Sequence, residues 1–458
     1  MSRPHKALSQ FLLAICFTAW GPSVPATAQE GEEGDEATPW EGATDVTLPP
    51  FLQDTDQRIV DQRPPPTAQQ LEALRQLEEE VDRFTESGEA FRSTVTSLVR
   101  REYLQQRRER DRWYGEQLDT EERAFDEARE SAIRIFEEFI RSYPQHAKYT
   151  PDAMFRLGEL YFERSALDFQ KLYDDAQVAR EAGDLTAEDN LPTSPDFTPT
   201  VVLYKTLARA FPAYERSDGV YYLIGYTLNE MGRPEEAVAA WLALVCSNKY
   251  DYDPDWRPPP PNASLAAQAR YPALTLDGRP LDAPAGGSFV NPYKSCQPIT
   301  PEARFVSETW FRVGEYHFDD FGGRNSLDLS IAAYGRILEN ADDRNYNLAL
   351  YKVAWAYYRA SRYPEAIRHF GRLVQWSDDT RSRTGRAGSE LRPEAIEYLG
   401  IAFAYDDWNE NQVADPIEGQ PTGLERIQDA ALIPQKRPWT PEVYFQLGQV
   451  YFDEAKYV

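Results

Sequence analysis

Asn347 to Thr380 reads as two short helices folded against each other, and this unit governs how the rest of the chain can be laid out. Its first half spaces Leu350, Val353, Ala354 and Tyr357 at 0, 3, 4 and 7, which is one face of a helix. Its second half spaces Ala366, Phe370 and Leu373 at 0, 4 and 7. Arg362-Tyr363-Pro364 separates them, and proline is accepted in the first turn of a new helix but breaks a continuing one. Small Ala354 and Ala366 let the backbones approach while Phe370 fills the gap. One unit cannot bury both stripes, so it requires neighbours of its own kind.

A neighbour stands at a fixed offset. Tyr221, Ile224, Gly225, Leu228, Ala237, Trp241 and Leu244 each lie 129 residues before the seven positions just named, with the same order of side-chain sizes. In its 34-residue length and its pattern the unit resembles the tetratricopeptide repeat. Further first helices follow the same spacing, with their second helices delayed by an insertion in one copy and by four residues in another. Met154, Leu157, Gly158 and Tyr161 are completed by Tyr204 and Leu207, and Trp310, Val313, Gly314 and His317 by Ser330, Tyr334 and Ile337. Ile396, Leu399, Gly400 and Phe403 start another unit, and Tyr444, Leu447, Gly448 and Tyr451 a last one.

The expected fold class is therefore all-α, a superhelix of helical hairpins (an α-solenoid) over residues 131–458. It opens with a second-type helix carrying Ala132, Phe136 and Phe139, which Ser142-Tyr143-Pro144 ends. Insertions are expected at about 172–199, 247–300 and 405–440. The sequence stops before the partner of its last helix, so we expect a fragment cut within a repeat.

Residues 1–28 read as a signal peptide: Arg3 and Lys6, an apolar run from Leu8 to Trp20, and Ala26-Thr27-Ala28 as the cleavage site. The expected location is exported and periplasmic. The alternative, an outer-membrane lipoprotein with Cys16 lipidated, sets bulky Ile15 where that motif takes Gly or Ala. No later segment is apolar enough for a membrane span. Residues 29–66 form an acidic, proline-rich linker that cannot bury enough apolar surface to order itself.

Residues 67–130 read as a long helix opened by Thr67. Leu74, Leu77, Val81, Phe84, Phe91, Val95 and Leu98 fall at heptad spacing, with Gly88 inside the series and Glu102 ending it. Two readings fit this periodicity. One is a coiled coil, able to self-associate through residues 67–102; the other is a helical hairpin packed on the first repeat. The arginines from Arg100 to Arg112 alternate with Glu102, Glu109 and Asp111, a solvated face laced with ion pairs.

A net charge of -26 excludes nucleic acid and anionic membrane surfaces as partners for the chain as a whole. The sequence lacks a Gly-rich phosphate loop, a His-Glu-x-x-His run and a nucleophile elbow, so we expect no enzyme and no cofactor. Asp251, Asp253 and Asp255 open like a calcium loop, but Trp256 stands where that loop needs glycine and Asn262 where it needs a bidentate glutamate. The expected metal sites are none.

The resemblance carries further expectations. Tetratricopeptide proteins are non-enzymatic scaffolds that hold a peptide or helix in a concave groove lined by the first helix of each repeat. Phe136 to Pro144 and Ala210-Phe211-Pro212 are similar to repeat endings of Gram-negative envelope proteins in outer-membrane assembly and the Tol-Pal system, whose Tol-Pal member also begins with a coiled coil. This implies a periplasmic scaffold with protein or peptide partners, in cell-envelope biogenesis or an envelope-spanning motility or secretion machine. The alternative is a peptidoglycan- or polysaccharide-binding protein, motivated by 13% aromatic residues, although most fall at repeat core positions.

In the family the fifth, ninth and twelfth positions of each first helix line the groove. Here they are Phe155 and Phe162, Tyr222 and Tyr226, Phe311, then Tyr351, Trp355 and Tyr358, then Phe445 and Phe452. The Lys and Asn residues that clamp a carboxylate in some members are missing, and Glu159 and Glu315 interrupt the aromatics. The groove is thus expected to take an apolar or aromatic segment with a basic residue near one of these glutamates. Cys246 and Cys296, the cysteines left after signal removal, flank the proline-rich insertion and are expected to form a disulfide in an oxidising compartment; a buried free thiol is the alternative.

Overall fold

The computed structural model describes residues 66–454 apart from 185, 188, 190, 259–287, 321–324, 416–418 and 420. Residues 1–28, read as a signal peptide, nearly all of the expected acidic linker, the middle of the 247–300 insertion and Gly322-Gly323 lie outside the described residues. Among the described residues there are helices and no strands. The chain divides into two compact units, Met1–Ala128 and Arg129–Val458.

In the first unit the described residues are helical from the first residue of α1 (Ala68–Ser142). Thr67 opens it with a reciprocal cap: its N–H donates to Gln70 Oε1 at 2.9 Å, and the Gln70 N–H donates to Thr67 Oγ1 at 3.4 Å. The hairpin reading is corrected here, because α1 runs without a turn. No proline lies between Ala68 and Ser142, and an exposed glycine such as Gly88 costs a helix only about 1 kcal/mol. Leu74, Leu77, Phe84, Phe91 and Leu98 are all more than half exposed. The arginine run is solvated, with Arg107 3.7 Å from Asp111.

In the second unit the separate helix expected at Ala132 is instead the C-terminal end of α1, where Ile133, rather than Phe136 or Phe139, is buried. There follow α2 (Tyr149–Glu181), α3 (Thr198–Ala210), α4 (Ser217–Glu230), α5 (Pro234–Val245), α6 (Val306–Asp319) and α7 (Ser326–Ile337). Then come α8 (Tyr346–Arg359), α9 (Tyr363–Thr384), α10 (Arg392–Ala404), the single turn α11 (Gly423–Arg426) and α12 (Thr440–Asp453). Consecutive helices pack on one another from α2 to α10, and α12 packs on α10. This unit is an all-α solenoid of helical hairpins. Proline in the first turn of α3, α5, α9, α10 and α12 sets where each begins. α2 continues through the expected start of the first insertion and buries Ala176 on the way.

Within the four hairpins from α2 to α9 a small residue on the first helix receives a ring from the second. A Cβ at Gly158, Gly225 or Gly314 would overlap the side chain of Tyr204, Trp241 or Tyr334 respectively. Trp241 also donates its Nε1–H to the Tyr222 carbonyl at 3.2 Å. At the matching place in the unit of α8 and α9 stands Ala354, and the ring is the smaller Phe370; both are fully buried. The buried side chains form two clusters, one from Met154 to Val353 and one from Tyr346 to Leu447.

The second insertion folds back on α5. Cys246 and Cys296 are bonded with Cα atoms 4.4 Å apart, and the Ile299 N–H donates to the Leu244 carbonyl at 2.8 Å. Tyr293 is buried beside Trp310, its hydroxyl 2.8 Å from His317 Nε2. Asp255 of the would-be calcium loop meets Arg209 at 3.0 Å.

Candidate partner-binding face

The first helices α2, α4, α6 and α8 each turn one stripe toward their own second helix and present the adjacent stripe beside the next first helix, and α10 and α12 continue the row. At the fifth position of that stripe the structure shows a seam. Tyr222 donates its hydroxyl to Glu308 Oε1 at 2.5 Å, and Tyr351 donates to Glu394 Oε1 at 2.6 Å. In both cases a fifth-position tyrosine meets a second-position glutamate on the next first helix. Phe155, which has no hydroxyl, packs instead on second-position Gly219 of α4, where a Cβ would stand 3.4 Å from the ring. Burial, reinforced by the glutamate, holds the Tyr222 and Tyr351 hydroxyls well above the ordinary tyrosine range.

This geometry sorts the ten aromatics expected on the groove. Phe155 and Tyr222 are buried, the latter stacked under Phe305 at 4.7 Å, and neither offers a face to a ligand. Phe162 is half-buried under Phe197, which the first insertion brings to 4.4 Å. Phe311 leans on Tyr334 at 5.4 Å, within its own hairpin. Tyr351 belongs to the seam. Tyr226, Trp355 and Tyr358 remain half-buried, and Phe445 and Phe452 are 69% and 67% exposed.

Trp355 and Tyr358 belong to one aromatic patch. Trp355 lies edge-on to Tyr398 at 4.3 Å and 5.6 Å from Tyr358. Tyr398 sits at the sixth position of α10, outside the three positions used to read the sequence, and the recurrence of Arg156, Arg312 and Lys352 at that same position marks it as part of this face. An open pocket of about 580 Å³ lies between the starts of α10 and α12, lined by Ile396, Pro441 and Phe445 and closed on one side by Arg392 and Glu442.

Glu159 and Glu315, expected to attract a basic ligand residue, are ion-paired within the chain. Arg156 contacts Glu159 at 2.7 Å, and Lys352 and Arg312 contact Glu315 at 2.8 and 3.7 Å. Both carboxylates already have cations of their own chain. Among the described residues no group of histidine, cysteine or carboxylate side chains could hold a metal ion, and no helix is long and apolar enough to cross a membrane.

Two segments match family models described as tetratricopeptide repeat: residues 348–375, which span α8 and most of α9, and residues 219–241, in α4 and α5. The solenoid carries tetratricopeptide repeats. No curated protein and no solved structure matches the chain. Tetratricopeptide repeats generally serve as non-enzymatic scaffolds for protein–protein interaction, and the repeats here imply protein partners.

Proposed function

We propose that this tetratricopeptide chain is an exported scaffold of the cell envelope that holds an apolar or aromatic segment of a partner protein against its first-helix face. The observation that carries the reading is the patch of Trp355, Tyr358 and Tyr398, whose rings stay half-open on a face where Phe155 and Tyr222 are buried in the seam. Half-open aromatic anchors of this kind commonly dominate binding energy. The neutralised glutamates favour a ligand without a required charge. Support for the exported location comes from the signal-like residues 1–28 and from the paired cysteines beside the second insertion. The resemblance to envelope proteins of outer-membrane assembly and the Tol-Pal system supports biogenesis or an envelope-spanning machine as the setting.

Selection of peptides from a random display library on the purified chain tests the proposal. Enriched peptides should be rich in aromatic and aliphatic residues, and Trp355→Ala with Tyr358→Ala should weaken them at least tenfold while the far-UV spectrum stays helical. Unchanged binding by the double variant would exclude the patch. Co-sedimentation with purified peptidoglycan, lost in the same variant, would favour the polysaccharide reading instead.

A further inference from the structure

The part of α1 within the first unit carries an apolar stripe that nothing among the described residues covers. Leu71, Leu74, Leu77, Val81, Phe84, Phe91, Val95, Leu98 and Val99 are each at least 39% exposed. Taken together they are on the order of the 800 Å² per partner that a stable, specific interface buries. An exposed stripe of this extent marks an interaction surface. The composition of the stripe says which partner completes it.

We infer that the stripe is a homodimerisation surface on which a second copy of this chain packs antiparallel, about a two-fold axis near residue 86. The argument rests on layer volumes. With two copies antiparallel in that register, Leu74 meets Leu98, Leu77 meets Val95, Val81 meets Phe91, and Phe84 meets Gly88. The largest ring falls opposite the residue with no side chain, so the layers are far more even than in a parallel pair. In a parallel pair the layers would be Phe84 on Phe84 and Gly88 on Gly88, a bulge beside a void, which close-packed interiors do not tolerate. Gly88, which a single helix would be more stable without, thereby acquires a role.

The flanks agree with the same register. Positions bordering the core of an antiparallel pair face their own kind, so Glu78 lies across from Arg92 twice by symmetry, and Leu71 lies across from Val99. The parallel alternative sets Glu80 against Thr85 and Ser87 against Arg92, which pairs no opposite charges. The inference rests on α1 alone and is independent of the proposed first-helix face, so either can fail without the other.

Light scattering on the full chain, followed by oxidative cross-linking in a Cys16→Ser background, provides the test. The chain should have the mass of a dimer. A mixture of Leu74→Cys and Leu98→Cys chains should give a disulfide-linked dimer, whereas either variant alone should not, since two copies of residue 74 would lie about 36 Å apart by helical rise. Phe84→Glu should return the chain to a monomer with its helical spectrum retained. A monomeric parent chain, a trimer, self-linking of Leu74→Cys, or a Phe84→Glu chain that stays dimeric would each overturn the inference.

Discussion

At Gly225 an added Cβ would run into the indole of Trp241, while at Gly335 of α7 it would meet nothing within 4 Å. The same substitution should therefore have opposite signs. Gly225→Ala is expected to cost about 1–3 kcal/mol through overpacking, and Gly335→Ala to stabilise by up to about 1 kcal/mol through helix propensity. Urea unfolding followed by circular dichroism reads both, and equal effects would contradict this account of the hairpin core. At the seam, Tyr351→Phe removes a bond to a charged but half-open acceptor and should cost about 1.5 kcal/mol. Tyrosine hydroxyls held near carboxylates also set an alkaline limit. Burial and the neighbouring Glu137 raise the Tyr161 hydroxyl to about 12. Because the folded value lies above the free value of about 10, this stabilisation is fully present below pH 10 and disappears as pH rises toward 12. Tyrosinate absorbance during alkaline titration should show a late-ionising fraction that becomes ordinary once the chain is unfolded.

Among the elements, the second insertion is anchored where α5 ends. Cys246 and Cys296 close a loop with a sequence separation of 50. In the chain-entropy model such a bond stabilises by about 4 kcal/mol, so reduction should lower the melting temperature markedly. Labelling of denatured, unreduced protein should find neither thiol reactive. The hairpins themselves could be read from the sequence, because the small residue and its ring both lie within one unit, as with Gly225 and Trp241. The seam could not be read that way. Tyr222 reaches Glu308 across 86 residues and Tyr351 reaches Glu394 across 43, so no local spacing connects them. Helical periodicity puts both tyrosines on the face beside the hairpin core, but whether that face meets solvent or the next repeat depends on packing. For α1 the periodicity alone leaves two readings, one continuous helix or a hairpin. A glycine inside a heptad pattern is compatible with a turn or a helix, and with no proline between Ala68 and Ser142 the exposed Gly88 is too small a penalty to break the helix.

For the second unit as a whole, the two buried clusters divide the solenoid near α7 and α8, where Leu338 and Tyr357 touch both. Repeat arrays gain stability from nearest-neighbour interfaces, so damage should stay local. Phe403→Ala, which empties a fully buried site of the second cluster, should speed hydrogen exchange in α9, α10 and α12 more than in α4 and α5. Uniform acceleration would mean that the clusters unfold as one. The seam adds a constraint of a different kind. Tyr222 with Glu308 and Tyr351 with Glu394 are matched donors and acceptors, whereas Phe155 with Gly219 is a ring on a small residue, and the two kinds of junction do not accept each other's partners. If the hairpin of α6 and α7 were excised and α5 joined to α8, Tyr222 would face Leu348 and lose its acceptor. If α4 were set before α10, Tyr222 would find Glu394 and keep one. The repeats are thus keyed like cut segments of a lock, and their linear order is written into which junctions can be concatenated and which cannot.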